Sequence, residues 1–126
     1  MTDTAAYVPG VCNINRAEIA YRRKWAYGSA GATVILAFGL FALSHNRWLR
    51  LLVFLPAFIS AVNYSQVKNK FCVSYAAASL QNATEGSHQA ERVSDEAHKL
   101  DAMKARKMNR QAALAALLVT AVAVVI

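Results

Sequence analysis

From Trp25 to Ser44 the chain runs for 20 residues without a charge, WAYGSAGATVILAFGLFALS. At 1.5 Å per residue that stretch reaches about 30 Å, the thickness of a bilayer's hydrocarbon core. It reads as a transmembrane helix, continuous with an interfacial helical stretch that begins near residue 16. That one element sets the fold class expected here: all-α, an integral membrane helical hairpin.

A second uncharged run, Leu51 to Val67, has 17 residues and reaches about 26 Å. With Arg50 and Lys68 snorkelling to the headgroups it suffices for a second span over 48–67. Pro56 lies inside it and removes one backbone hydrogen bond, which predicts a kink. The last run, Ala112 to Ile126, gives about 22 Å. As a span it draws Asn109 to Gln111 into the interface, and the alternative is a buried core helix. A third span over 111–126 is the reading adopted. At 126 residues and 56% hydrophobic, the chain is a single, unusually apolar domain.

Fourteen Lys and Arg face seven Asp and Glu, for a net charge of +7. Those cations flank the apolar runs: four precede the first, two lie between the first and second, and eight follow the second. The positive-inside rule places the N-terminus and residues 68–110 in the cytoplasm, with the 45–50 turn outside. Trp25, Trp48 and Tyr64 stand near the boundaries, as in an aromatic belt. No basic stripe, zinc-finger spacing or ribonucleoprotein-type strand argues for nucleic acid. The opening MTDTAAYVPG lacks a basic region followed by an apolar core, so no secretory processing is expected.

Between the second and third runs, residues 71–80 are apolar but too few to span, and fit a segment at the interface or folded against the bundle. Gly86 and Ser87 mark a break, after which 87–110 reads as an amphipathic cytoplasmic helix. Val93, Ala97, Leu100 and Met103 form its expected apolar stripe. Acidic residues come early in it and Lys104, Arg106, Lys107 and Arg110 late, which suits the helix dipole and headgroup binding. Arg22, Arg23 and Lys24 are expected to bind headgroups before the first span.

Chemistry is sparse. No ionisable residue lies within the apolar runs, and no nucleophile, base and orienter can be assembled. His45, His88 and His98 fall outside those runs and read as solvated residues. No enzyme, cofactor or metal is expected. Gly28, Gly31, Ala32 and Gly39 on the first span, with Ser60 and Asn63 on the second, suggest helix–helix contact within the hairpin, between copies, or with a larger membrane complex. Cys12 and Cys72 form a candidate thiol pair, since a hairpin carries both to one face among cations that favour thiolate.

The stretch NINRAEI has the form of a helix start. Asn15 stands at the N-cap with Glu18 three residues on, Ile14 and Ile19 form a staple, and Glu18 and Arg22 make an i, i+4 pair. CNINRAEIAYRRK, the two-span hairpin and the FC followed by Y after the second span resemble a small bacterial inner-membrane hairpin domain found beside rhodanese sulfurtransferase modules. The resemblance covers about residues 12–75 and implies Asn13-Ile14-Asn15, Glu18 and Arg22 as the family's opening motif and Cys72 as its trailing cysteine. The favoured expectation is a non-enzymatic membrane subunit with lipid and protein partners; the alternative is a cytoplasm-facing thiol or persulfide handler using Cys12 and Cys72.

Overall fold

A computed structural model describes residues 7–87 and 89–126. Helix α1 spans Arg16–Leu43, and a 3-10 helix, Arg47–Val53, runs into α2, Phe54–Asn69. A single-turn helix, α3, covers Val73–Ala77, and two-residue strands β1 (Leu80–Gln81) and β2 (Glu91–Arg92) pair antiparallel before α4, Asp95–Val125. The fold is all-α apart from that pair. Residues 16–43, 47–69 and 95–125 are each long and apolar enough to cross a membrane. They stand in a row with α2 in the middle, packed on α1 along one side and α4 along the other, while α1 and α4 barely touch.

Local chemistry explains where α1 begins. Asn15 accepts the Glu18 amide on its side-chain oxygen at 3.0 Å and so satisfies one of the helix's orphan donors. Ala26 and Ser29 are the buried residues of α1, and Ser60 donates its hydroxyl to the Ala26 carbonyl at 2.8 Å across the α1–α2 seam.

Pro56 does not sit mid-helix. The 3-10 helix hands over to α2 at Phe54, so Pro56 falls in the first turn of α2, where a missing N–H costs little. Arg50 does not snorkel outward either. It is buried, stacks on the Phe41 ring at 5.1 Å and donates to the Ala123 carbonyl at 3.2 Å in the last turn of α4. One guanidinium thus ties α1, the 3-10 helix and α4 together at the end of the bundle remote from residues 71–94.

Helix α4 starts later than the sequence pattern indicates. Ser94, not Ser87, is its N-cap, accepting the Ala97 amide at 3.1 Å. Part of the interval 87–94 is instead drawn into pairing with residues 80–81, where Leu80 opposes Arg92. The buried stripe also differs from the expected one. Ala97, Asp101, Ala105, Met108, Ala112, Ala116 and Thr120 face inward, while Leu100 and Met103 are 51% and 63% exposed. Small side chains let α4 lie close to α2 and α3, and a helical face chosen for close approach overrides one chosen for bulk. The stripe passes through residues 110–112 without a break, so the charged and apolar halves of α4 form one continuous helix.

Residues 71–80 fold back on the bundle. Phe71 and Ala76 are fully buried and pack with Ala105 and Met108 of α4. A left-handed residue, Lys70 (φ 55°), ends α2 and turns the chain into this segment.

Candidate functional site

The segment before α1 is held by the segments after α2. Asn13, with no exposed surface, uses its side-chain amide as a strand would use its backbone. It accepts the Cys72 N–H at 2.6 Å and donates to the Cys72 carbonyl at 3.1 Å. Its own backbone N–H donates to the Lys70 carbonyl, and its carbonyl accepts the Asn82 N–H at 2.7 Å. Asn15 donates its amide to the carbonyls of Thr84 and Ser87. Residues 13–15 are therefore threaded between residues 70–72 and 82–87.

Glu18 and Arg22, one turn apart on α1, complete this knot. Glu18 does not reach back to the N-cap as a capping box requires. It pairs with Arg22 at 2.9 Å and accepts the Tyr75 hydroxyl and the Asn82 amide, the latter at 3.0 Å. Burial alone pushes the Glu18 carboxyl up, but hydrogen bonds from Tyr75, Asn82 and Arg22, with the guanidinium charge, hold it below the usual carboxylate value. Burial and the Glu18 carboxylate push the Tyr75 phenol up. Arg22 donates its second nitrogen to Cys72 Sγ at 3.0 Å and lies over the Tyr75 ring. Its guanidinium is engaged inside the protein, with Glu18, Cys72 and Tyr75, where the sequence pattern suggested a headgroup ligand.

A second buried carboxylate fastens the chain ahead of the knot. Asp101 on α4 has no exposed surface and accepts the Tyr7 hydroxyl at 2.5 Å and the Gly10 N–H at 2.7 Å. Burial, then the Asp101 contact, pushes the Tyr7 phenol well above its ordinary value. Gly10 sits at φ 72° in a turn closed by Val8 and Cys12, with its α-carbon facing Leu100. That close approach in a left-handed conformation calls for glycine.

The two cysteines are brought to the same region, but each sulfur has its own partner. The Cys12 thiol donates to the Ile14 carbonyl at 3.5 Å and Cys72 Sγ accepts from Arg22, and both cysteines are free. Cys72 is 2% exposed, whereas Cys12 is half-buried. Maleimide labelling of the folded protein is expected to modify Cys12 at least tenfold faster than Cys72, with both rates equal after unfolding; equal rates in the folded state would show that the knot does not close over Cys72.

Of the small residues on α1, Ala26 and Ser29 lie at the seam with α2, but the three glycines do not pack closely within the bundle. Gly28, Gly31 and Gly39 each have open space where a Cβ would project. Gly28 and Ala32 line a shallow apolar recess of about 360 Å³ with Pro56 and Ile59, on the outer face of the hairpin. Of the two polar residues on α2, Ser60 crosses to α1, but Asn63 donates to the Ile59 carbonyl of its own helix and accepts from Gln66. Gln66 is buried and accepts the Val73 N–H, capping α3. Arg23, Arg106 and Arg110 are exposed, with Arg106 bonded back to the Ala102 carbonyl. Lys24, also exposed, edges the same outer recess as Gly28. Lys104 lies over the Phe71 ring at 5.8 Å and, with Lys107, edges a groove between α2 and α4. His88 lies outside the described residues. Among the described residues, no three His, Cys, Asp or Glu side chains are grouped so as to hold a metal ion.

Sequence reasoning missed Asn82, Gln66, Tyr7 and Asp101, and it met Asn13 and Tyr75 only within the resemblance, with no partner for either side chain. The only advance signal was Asn13 itself, a second asparagine two residues before the N-cap that no helix start requires. Compared with protein-family models, with curated proteins and with solved structures, the chain finds no match in any of the three.

Proposed function

We propose that the chain is an integral protein of a bacterial inner membrane that crosses it three times, with the knot on the cytoplasmic side. It acts there as a non-enzymatic assembly subunit, by self-association or by docking on a larger membrane complex. The observation that carries this reading is the outer face of α1. Three helices in a row cannot enclose one another, and Ile35 and Phe38 remain 75% and 71% exposed. Beside them, Gly28 and Gly31 leave open space that lets another helix approach closely. The knot supports the same reading, because its polar groups are spent on one another and fix the bundle end as a rigid platform. The rhodanese-associated hairpin offers a parallel for this architecture. The thiol-handling alternative draws its support from the Arg22 contact to Cys72, but a sulfur sealed at 2% exposure favours a structural role.

Native electrophoresis of mildly solubilised membranes tests the proposal. The expected result is one discrete species larger than the monomer, converted to monomer by Gly28→Leu with Gly31→Leu while helix content is unchanged. A monomer in the unaltered protein would overturn the assembly role.

A further inference from the structure

We infer that the face between α1 and α4 holds one anionic phospholipid, its phosphate on Lys68, Lys104 and Lys107 and an acyl chain along α2. Because α2 stands between the other two helices, a groove runs over it on that face. Its apolar part, about 450 Å³, is walled by Ala30 and Val34 of α1, Ala57 and Ala61 of α2, and Ala116 and Val119 of α4. Its second part, about 390 Å³, lies between α2 and α4 and is edged by the three lysines and Gln111. Ala61, Tyr64 and Ala115 belong to both parts, so the two are continuous.

Charge and length identify the occupant. No carboxylate lines either part of the groove, so three lysines border a site without an internal counter-ion. A second copy of this chain, at net +7, brings further cations to that end rather than anions. From Lys104 to Val119 the wall of α4 extends about 22 Å, against about 15 Å for the hydrocarbon of one leaflet. The groove thus runs from headgroup level to near the midplane, cationic at one end and apolar along the rest. A phospholipid of the cytoplasmic leaflet matches that polarity and reach, and Tyr64 at the junction suits the headgroup boundary. The small residues on α2 and α4 that admit the chain are the same choice that lets those helices pack closely.

This inference rests on the membrane-spanning reading, which alkaline carbonate extraction tests separately: release from the membrane would refute spanning itself. Native mass spectrometry of the full chain, offered phosphatidylglycerol and phosphatidylcholine with identical acyl chains, tests the lipid. The expected result is at least tenfold preferential retention of phosphatidylglycerol. Each of Lys68→Gln, Lys104→Gln and Lys107→Gln is expected to weaken that preference about fivefold. Arg47→Gln, Arg92→Gln and Lys99→Gln together remove three exposed charges that line neither part of the groove and are expected to leave it intact. Ala115→Phe fills the junction without altering charge and is expected to reduce retention of both lipids, which keeps the test open if a lysine variant fails to fold. Equal retention of the two lipids, equal loss in the triple variant outside the groove, or displacement of the lipid by millimolar inorganic phosphate would overturn the assignment.

Discussion

Replacing Asn13 with alanine is expected to destabilise the protein by about 2 kcal/mol. The side chain satisfies both backbone groups of Cys72, and all three partners are sealed from solvent. Truncation leaves the buried Cys72 N–H without a partner, at about 1–3 kcal/mol, while the Cys72 carbonyl loses one of two donors and keeps the Ala76 N–H at 3.1 Å. Nothing nearby can take over, because the backbone of residue 13 is already committed to Lys70 and Asn82. Asn13→Asp keeps the acceptor for the Cys72 N–H but loses the donor to its carbonyl, and is expected to fall between alanine and the native residue. Thermal unfolding in mild detergent gives the stabilities, and limited proteolysis shows the local consequence, faster cleavage within residues 71–94. A loss below 0.5 kcal/mol for Asn13→Ala would show that water or a shifted backbone satisfies Cys72.

The difference between what the sequence disclosed and what it concealed follows from the range of the interactions. The helices were legible because their causes are local: an uncharged run of helical length, an Asn at the N-cap of α1, and a Gly-Ser break before α4. Boundaries failed where a distant segment competed. Ser87 looks like a helix start until residues 91–92 pair with 80–81, a contact that no spacing rule contains. The burial stripe of α4 failed for a related reason. Leu100 and Met103 are the natural core choices by hydrophobicity, yet the neighbouring helix surface selected Ala97, Ala105 and Ala112, and Tyr7 with Gly10 made a buried place for Asp101. Glu18 and Arg22 were legible as an i, i+4 pair, but their three further partners come from residues 72, 75 and 82. Arg50 repeats the lesson at the other end, where a residue suited to snorkelling is claimed by Phe41 and Ala123. In each case a side chain with an adequate local role is taken by a long-range partner, and only the tertiary arrangement reveals it.

Glu18 governs how the knot responds to acid. At neutral pH Glu18→Gln is expected to cost about 2 kcal/mol, since it removes the counter-ion of a mostly buried guanidinium and weakens the acceptor for Tyr75 and Asn82. The Glu18 carboxyl is 19% exposed, which places the expected cost below that of breaking a fully buried pair. Because the folded protein holds this carboxyl below its ordinary value of 4.5, the stabilisation is fully present above that pH. It is lost as the pH falls through the lower folded value, where the protonated group no longer pairs with Arg22. Melting temperatures of the native protein and Glu18→Gln are therefore expected to differ by a constant amount from pH 7 to about pH 5 and to converge below it. Comparing the two isolates Glu18 from every group that the two proteins share. Tyr75→Phe removes the first of the hydrogen bonds that lower the Glu18 value, so its acid loss is expected to begin at a higher pH than in the native protein. Parallel melting curves for the native protein and Glu18→Gln down to pH 3 would show that Glu18 is not what fastens α1 to the segments behind it.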